Sequence, residues 1–288
     1  MKKVMKTSWL IAIGSLVALT SCLNDNDVVD PIEQLEKEQD RIDAYLDENG
    51  IEAKIDTTGY DLRYVIHEQG DGSKPKLDDW TLVDIKGTRL DGVEFINEDS
   101  IYIPINNWLL GYYVLTPYLN EGGSMSMYLP SYFAYGNSAA FDGLLPKNST
   151  VILDVTLHDA LTQFDYEQQK IDNYLAENGL EAEIDTTKNL RYIITEEGTG
   201  DYPAPNSTVN VDYKLTILGE EEPLQNGAGF ENSLRNLIAG WQILMPYVKE
   251  GGTIQMFIPS KYAYGATGSN TIPGYSTLIF EVKLNTVK

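Results

Sequence analysis

The chain has 288 residues and carries 43 acidic side chains against 21 basic ones, which gives a formal net charge of −22. A charge this negative repels phosphate backbones and argues against nucleic-acid binding. One cysteine cannot form an internal disulfide, and the two histidines, His67 and His158, lack the spacing of metal-ligand motifs. With 42% hydrophobic and 22% charged residues, the composition is that of a folded protein with one large domain or two ordinary ones.

The N-terminus has the pattern of an export signal over residues 1–21. Three lysines flank the start of an apolar run at 9–18, which is too short to span a bilayer, since a spanning helix needs about 20 residues. Residues 19–22 (LTSC) resemble a bacterial lipobox, in which the cysteine is acylated; the alternative is an ordinary cleaved signal beside an unrelated cysteine. We expect a lipid anchor at Cys22, a location in the bacterial cell envelope that faces the periplasm or the surface, and a polar tether over 22–36.

The rest of the chain is a tandem repeat. Residues 42–50 (IDAYLDENG) recur as 171–179 (IDNYLAENG), and the later motifs EGG, PS and AYG recur with an offset of 127 to 129 throughout. A repeat of this length is a whole domain rather than a solenoid unit. We expect two domains, over residues 37–161 and 162–288, with the boundary near Leu161.

Each copy is predicted to open with an amphipathic helix. In the first copy, Ile42, Tyr45 and Leu46 share one helical face, and Gly50 supplies a left-handed stop. The second copy repeats this pattern with the same residue types. These leading helices could pack on their own domains, separate the two domains or mediate dimerisation.

Short runs rich in Val, Ile, Tyr and Thr follow each leading helix and are predicted as strands. In the second copy they lie at 190–195, 209–218, 252–258 and 277–284. Between the second and third runs, the apolar spacing of residues 233–248 favours one helix that lies on the sheet. The predicted fold class is α+β, with an antiparallel sheet in each copy.

The second copy resembles the FKBP-type peptidyl-prolyl cis/trans isomerases. The motifs that carry the resemblance are LIAGW at 237–241, EGG at 250–252 and IPSKYAYGATG at 258–268. The resemblance covers about 190–284, and a diverged version covers 62–157. It implies two FKBP-like domains, each a curved antiparallel sheet wrapped on a short helix with an apolar pocket between them.

The implied activity agrees with the scarcity of reactive side chains. Rotation about an Xaa-Pro bond faces a resonance barrier of about 18–20 kcal/mol, and no bond has to be made. An apolar, water-poor pocket with one or two hydrogen-bond donors can stabilise the twisted amide. We therefore expect no cofactor and no metal, and the resemblance implies proline-containing polypeptides as substrates.

The resemblance also implies the site residues of the second copy. Trp241 matches the floor under the proline ring, and Tyr264 matches the hydroxyl that donates to a substrate carbonyl. Tyr213 matches an aromatic wall, while Gln225 stands where the family has an aspartate. These four are the expected catalytic residues. Because Gln225 carries no charge, we expect the isomerase activity of this copy to be reduced or altered. The expected substrate-binding residues, each of which could also be ordinary core, are Leu224, Leu237, Ile238, Ile272 and Phe280.

The first copy departs further from the family. Tyr112 replaces Trp241, while Tyr135 keeps the identity of Tyr264. We predict a degenerate domain that keeps the fold and serves as a structural or peptide-binding module. The residues at its pocket positions are Phe95, Leu109, Tyr112 and Tyr135.

Three functions remain open at this point. The favoured one is a lipid-anchored isomerase that assists the folding of exported proteins, mainly through the second copy. The second is a non-catalytic peptide-binding or chaperone-like lipoprotein. The third is a surface lipoprotein that binds glycans on faces rich in tyrosine, of which the chain has 19. Stacking platforms for sugars would not require the motif at 258–268. The sequence does not indicate the oligomeric state.

Overall fold

A computed structural model describes residues 30–288 of the chain. The expected export signal and the acylated Cys22 lie outside these residues, and so does the first part of the tether expected over 22–36. Within residues 30–288, no helix is both long enough and apolar enough to cross a membrane.

The first copy consists of a leading helix, six strands and one short helix. Helix α1 (Pro31–Glu48) comes first, and helix α2 (Leu110–Leu115) lies between the fourth and fifth strands. All strand pairs are antiparallel, and the sheet order is β1-β2-β5-β6-β3-β4. The strands are β1 (Lys54–Ile55), β2 (Arg63–Glu68), β3 (Trp80–Arg89), β4 (Glu94–Pro104), β5 (Ser124–Leu129) and β6 (Val151–Leu161).

The second copy repeats this arrangement. Helix α3 (Gln163–Glu177) leads, and helix α4 (Ala239–Leu244) lies between the fourth and fifth strands of the copy. The sheet is again antiparallel, in the order β7-β8-β11-β12-β9-β10. The strands are β7 (Glu183–Ile184), β8 (Arg191–Glu196), β9 (Thr208–Ile217), β10 (Gln225–Ser233), β11 (Thr253–Ile258) and β12 (Leu278–Val287). The predicted α+β class with antiparallel sheets is confirmed.

Each sheet is covered by helices on both faces. Successive side chains of a strand point to opposite faces of the sheet. On β5, Met127 therefore lies in the core beneath α2, and Tyr128 lies on the outer face. There Tyr128 packs against Ile42 and Leu46 of α1, which are 0% and 5% exposed. Helix α3 packs on the outer face of the second sheet in the same way. Each leading helix therefore packs on the sheet of its own copy.

Helix α1 begins earlier than the sequence pattern predicts. Residues 31–36 were expected to belong to the polar tether, but they form the first turns of α1. The side chain of Asp30 accepts a hydrogen bond from the Ile32 backbone N–H at 2.9 Å, and Pro31 fits the first helical turn because its missing N–H is not needed there. An N-terminal cap of this kind is local, and the acidic composition of the segment obscured it.

The single helix predicted over residues 233–248 is wrong. The structure divides this stretch into a 3₁₀ turn, the six-residue helix α4 and a second 3₁₀ turn. Leu237 and Ile238 are extended, with ψ of 166° and 152°. Pro246 has no N–H for an α-helical bond and so ends α4. The spacing of apolar residues does not distinguish one long helix from the observed three-part segment, because in both cases one face of the segment is buried against the sheet.

The junction between the copies is short and packed. Strand β6 ends at Leu161 and α3 begins at Gln163, on either side of the predicted boundary. The Trp80 ring of β3 stacks on Tyr166 of α3 with centroids 3.9 Å apart, and Trp80 Nε1 donates to Gln163 Oε1 at 2.6 Å. The first turns of α3 therefore contact the first sheet as well as their own.

Candidate active site

An aromatic cluster lies on the inner face of the second sheet, beneath α4. Trp241 of α4 is 4% exposed and meets Phe280 of β12 edge to face, with ring centroids 5.2 Å apart. Tyr213 of β9 lies 6.1 Å from the Trp241 ring and 6.3 Å from the Phe280 ring. Edge-to-face pairs are favourable arrangements of aromatic rings and hold their positions by packing. Three of the expected site residues, from three different elements, thus form one apolar surface.

Phe230 also belongs to this cluster, although the sequence reasoning did not identify it. Its ring lies 5.8 Å from Tyr213, and it packs half-buried against the core. A bulge in β10 between Gly227 and Phe230 shifts the strand register and brings Phe230 opposite Val211. A large aromatic residue in an otherwise small and polar strand (QNGAGFENS) is the signal that could have revealed it.

The expected aliphatic residues belong to the hydrophobic core that contains Trp241 and Phe280, or pack against it. Ile272 is 6% exposed within this core, while Leu224, Leu237 and Ile238 are half-buried against it. Leu237 and Ile238 are extended ahead of α4 rather than part of a helix. Two surface cavities, of about 330 and 300 Å³, lie elsewhere, on the polar outer faces of the two sheets.

Tyr264 follows Ala263, a half-buried residue that packs against the hydrophobic core of the second copy. Its side chain is 36% exposed, and among residues 30–288 its hydroxyl has no hydrogen-bond partner. The same hydrophobic core contains Trp241 and Phe280. An exposed donor at the border of an apolar surface suits the recognition of an amide carbonyl.

The loop after Tyr264 folds back through a narrow turn. Backbone bonds between Ser269 and Ile272, at 2.9 and 2.8 Å, close it and direct Ile272 towards the cluster. Gly268 has a φ of +70°, and a β-carbon there would stand 2.2 Å from the Ile272 carbonyl oxygen. The turn therefore requires glycine at this position.

Gln225 lies on the face of the second sheet that carries the aromatic cluster. Gln225 is exposed at the start of β10, where it pairs with Leu215. Phe280 pairs with Leu215 from the other side, and paired residues of antiparallel strands share a face, so Gln225 lies on the same face of the sheet as Phe280 and Tyr213. The exposed polar side chains among the expected catalytic residues are therefore those of Gln225 and Tyr264.

In the first copy, the residue that corresponds to Trp241 is completely buried. Tyr112 of α2 is 0% exposed, and its hydroxyl donates to Thr81 Oγ1 at 2.6 Å, while Thr81 Oγ1 donates to the Ile103 carbonyl at 2.9 Å. Burial raises the pKa of Tyr112 to about 12, so the phenol stays neutral. Leu109 is buried in the same core. The polar group of Tyr112 is thus used within the protein.

Tyr135, the counterpart of Tyr264, is also turned inward. Its ring meets Phe95 and Phe141 edge to face, at 5.9 and 5.3 Å, and its hydroxyl is buried without a partner among the described residues. Burial raises the pKa of Tyr135 far above its usual value. Phe141 takes up a φ of +52°, a left-handed conformation that costs a non-glycine residue roughly 1–2 kcal/mol. The aromatic side chains of Phe95 and Phe141 thus fill the space around Tyr135 in the first copy.

Comparison with known proteins gives a match in the second copy. Residues 200–285 match the family of the FKBP-type peptidyl-prolyl cis-trans isomerases. The FKBP-type isomerase FkpA of Escherichia coli K12 is 36% identical over 106 residues, which are 36% of this chain and 39% of that protein. A probable FkpA of Neisseria meningitidis is 34% identical over 119 residues, 40% of this chain and 43% of that protein.

Two solved structures are also similar. The crystal structure of Escherichia coli FkpA has 32% identity and a TM-score of 0.39, covering 43% of this chain and 61% of that one. The structure of the three FKBP domains of wheat FKBP73 has 20% identity and a TM-score of 0.39, covering 82% and 99%. The chain spans about two fifths of the length of the curated relatives it matches. Trp241, Tyr213, Tyr264 and Phe280 all lie inside the segment that matches the FKBP-type isomerase family.

Proposed function

We propose that this protein is a peptidyl-prolyl cis-trans isomerase that assists the folding of exported proteins, with its activity in the second copy. The observation that carries the proposal is the convergence of Trp241, Tyr213 and Phe280 on one apolar surface within the segment that matches the isomerase family. The substrates are polypeptides that contain proline. No cofactor or metal is needed, because the reaction rotates a bond and forms none.

The arrangement suggests how the barrier is lowered. The proline ring packs on Trp241, and the surrounding apolar side chains displace water from the amide. The exposed Tyr264 hydroxyl donates to the carbonyl oxygen on the substrate side. The twisted amide fits these contacts better than either planar isomer, and each 1.4 kcal/mol of such preference accelerates the rotation about tenfold.

The proposal includes the two-domain organisation and the location. The identical strand order supports two FKBP-like domains, over 37–161 and 162–288, each preceded by its helix. The first is proposed as a structural or peptide-binding module because aromatic side chains of the chain fill its site. The signal pattern supports a protein of the bacterial cell envelope that is held to the membrane by a lipid on Cys22.

The test is an isomerisation assay on the full-length chain with a short Xaa-Pro peptide. We expect the wild-type chain to accelerate the exchange and Tyr264→Phe to slow it about tenfold by removing one donor. Tyr135→Phe, the matched change in the first copy, should leave the rate unchanged. Exchange at the uncatalysed rate would contradict the proposal. Peptide binding without catalysis would instead support the chaperone-like alternative.

A further inference from the structure

A buried glutamate on helix α3 holds the loop that follows β11. Glu167 is 1% exposed, and its carboxylate accepts from the backbone N–H of Ser260 at 2.5 Å, from Ser260 Oγ at 2.6 Å and from Thr277 Oγ1 at 3.3 Å. A buried carboxylate is tolerated when donors compensate it in this way.

Ser260 organises the backbone on which Tyr264 lies. The carbonyl oxygen of Ser260 accepts from the N–H of Ala263 at 2.9 Å and from the N–H of Gly265 at 2.8 Å. These two residues flank Tyr264 on either side. When Glu167 fixes Ser260, it therefore fixes the point from which the Tyr264 side chain extends.

Thr277 marks the other end of the same loop. It directly precedes β12, which carries Phe280, and the segment 260–277 contains both Tyr264 and Ile272. One carboxylate thus bonds to both ends of the segment. We call this set of contacts, Glu167 with Ser260 and Thr277, the clamp.

The first copy has half of the clamp. Glu38 is 0% exposed and accepts from Ser131 N at 2.5 Å and from Ser131 Oγ at 2.9 Å. Thr150, the counterpart of Thr277, leaves its hydroxyl buried without a partner among the described residues. The complete clamp occurs in the copy that has the aromatic cluster.

Helix α3 is attached to the second sheet by contacts that do not involve the carboxylate of Glu167. Ile171 and Leu175 already bury the helix against the sheet, at 0% and 7% exposure. Asp172 also pairs with Arg191 through two hydrogen bonds of 2.9 and 2.8 Å. Glu167 therefore adds contacts to the loop beyond those that attach the helix.

We infer that Glu167 is a positioning residue of the isomerase site: it holds segment 260–277 so that the Tyr264 hydroxyl meets the substrate carbonyl. Helix α3 is then part of the catalytic unit. This inference rests on the proposed function. Because the clamp orients a donor rather than forming the apolar surface, its loss lowers kcat more than it changes KM.

The experiment compares Glu167→Leu, Glu167→Gln and Glu38→Leu in the full-length chain. We expect Glu167→Leu to lower kcat about tenfold with KM within twofold of wild type. Glutamine restores most of kcat, since its amide oxygen can accept from Ser260 N–H and its NH₂ can donate to Ser260 Oγ. Glu38→Leu breaks the equivalent buried contact in the first copy and leaves kcat unchanged.

Amide hydrogen exchange provides a readout that does not depend on activity. In Glu167→Leu, the N–H groups of Ala263 and Gly265 should exchange at least tenfold faster, while those of β11 and β12 keep their protection. If Glu167→Leu does not fold, Thr277→Val tests the same clamp by removing one bond at similar side-chain volume, and a smaller loss of kcat is expected.

Wild-type kcat in Glu167→Leu, unchanged exchange at Ala263 and Gly265, or an equal loss in Glu38→Leu would each overturn the inference. A wild-type chain without isomerase activity would overturn the proposed function, and with it the positioning role. Faster exchange in Glu167→Leu would then show a clamp that serves stability alone. The two failures are therefore distinguishable.

Discussion

Tyr112 and Trp241 occupy the same place in two copies of one strand order, and their surroundings differ. The Tyr112 hydroxyl is bonded to Thr81 inside the core, whereas Trp241 meets the rings of Tyr213 and Phe280. The leading helices and sheets that support the two residues are alike. The fold is thus maintained by contacts that leave the composition of the site free to change.

The paired tyrosines at the loop show the same contrast. Tyr264 is 36% exposed, while Tyr135 is packed between Phe95 and Phe141 with its hydroxyl buried and without a partner within residues 30–288. The two tyrosines therefore differ in their ability to bind a substrate, although they are the same residue type at equivalent positions. The neighbouring side chains determine whether each tyrosine is exposed to solvent.

The largest expected effect comes from truncating the two central residues. Trp241→Ala and Tyr112→Ala should each lower the free energy of unfolding of their copy by about 3–5 kcal/mol, since each removes a buried aromatic ring. Only Trp241→Ala should reduce isomerisation by the folded chain. Denaturant unfolding and the peptide assay measure the two quantities. Loss of activity in a folded Tyr112→Ala chain would mean that the first copy contributes to catalysis.

A smaller effect is expected from the aspartates of the repeated IDTT motif. Burial raises the pKa of Asp56 and Asp185, but hydrogen bonds outweigh it and leave both below the ordinary value: Thr58 and Leu62 donate to Asp56, and Lys188 and Tyr247 to Asp185. Their contribution is complete above about pH 3.8 and is lost as pH falls through the lowered pKa.

Accordingly, Asp56→Asn and Asp185→Asn should each lower the free energy of unfolding at pH 7 by about 1.5–3 kcal/mol, the usual range for hydrogen bonds to a charged group. The difference from wild type should shrink below pH 3.8. Thermal unfolding between pH 2.5 and 7 measures this. A difference that stays constant over that range would show that the charge of these carboxylates does not contribute.

The smallest expected effect distinguishes the two loop tyrosines. Tyr135→Phe removes a buried hydroxyl that has no partner in the described part of the chain, and it should raise the free energy of unfolding by about 1 kcal/mol. Tyr264→Phe removes an exposed hydroxyl and should leave the stability within about 0.5 kcal/mol of wild type. Denaturant titrations of both variants test the contrast. A destabilised Tyr135→Phe chain would reveal a partner, such as a bound water, for that hydroxyl.

The periodic parts of the fold could be predicted from the sequence. Ile42 and Leu46 share a helical face and are buried, and strands β8, β9, β11 and β12 fall within a few residues of the four predicted runs. Strands β7 and β10 were not predicted. The aromatic positions Trp241, Tyr213 and Phe280 do lie together. Periodicity and local motifs specify such features because they depend on neighbours along the chain.

The parts that depend on distant contacts could not be predicted. A glutamate in a polar helix looks like a solvated side chain, and the burial of Glu38 and Glu167 becomes visible only once Ser131 and Ser260 are in place. The sequence nevertheless contains a hint of these contacts, because the pair Glu38 and Ser131 recurs as Glu167 and Ser260 with the offset of the repeat. Phe230 was missed because a bulge, which no pattern indicated, sets its register.

The clamp also has a consequence for the order of folding. In both copies the glutamate precedes the serine that it holds by 93 residues. Contacts between residues so far apart form late, since the entropy of closing the intervening chain must be overcome first. Each leading helix is synthesised well before its partner loop, and the loop that carries Tyr264 reaches its final shape only when the second sheet is nearly complete. The ability to act on other chains would therefore be acquired at the last stage of the protein's own folding.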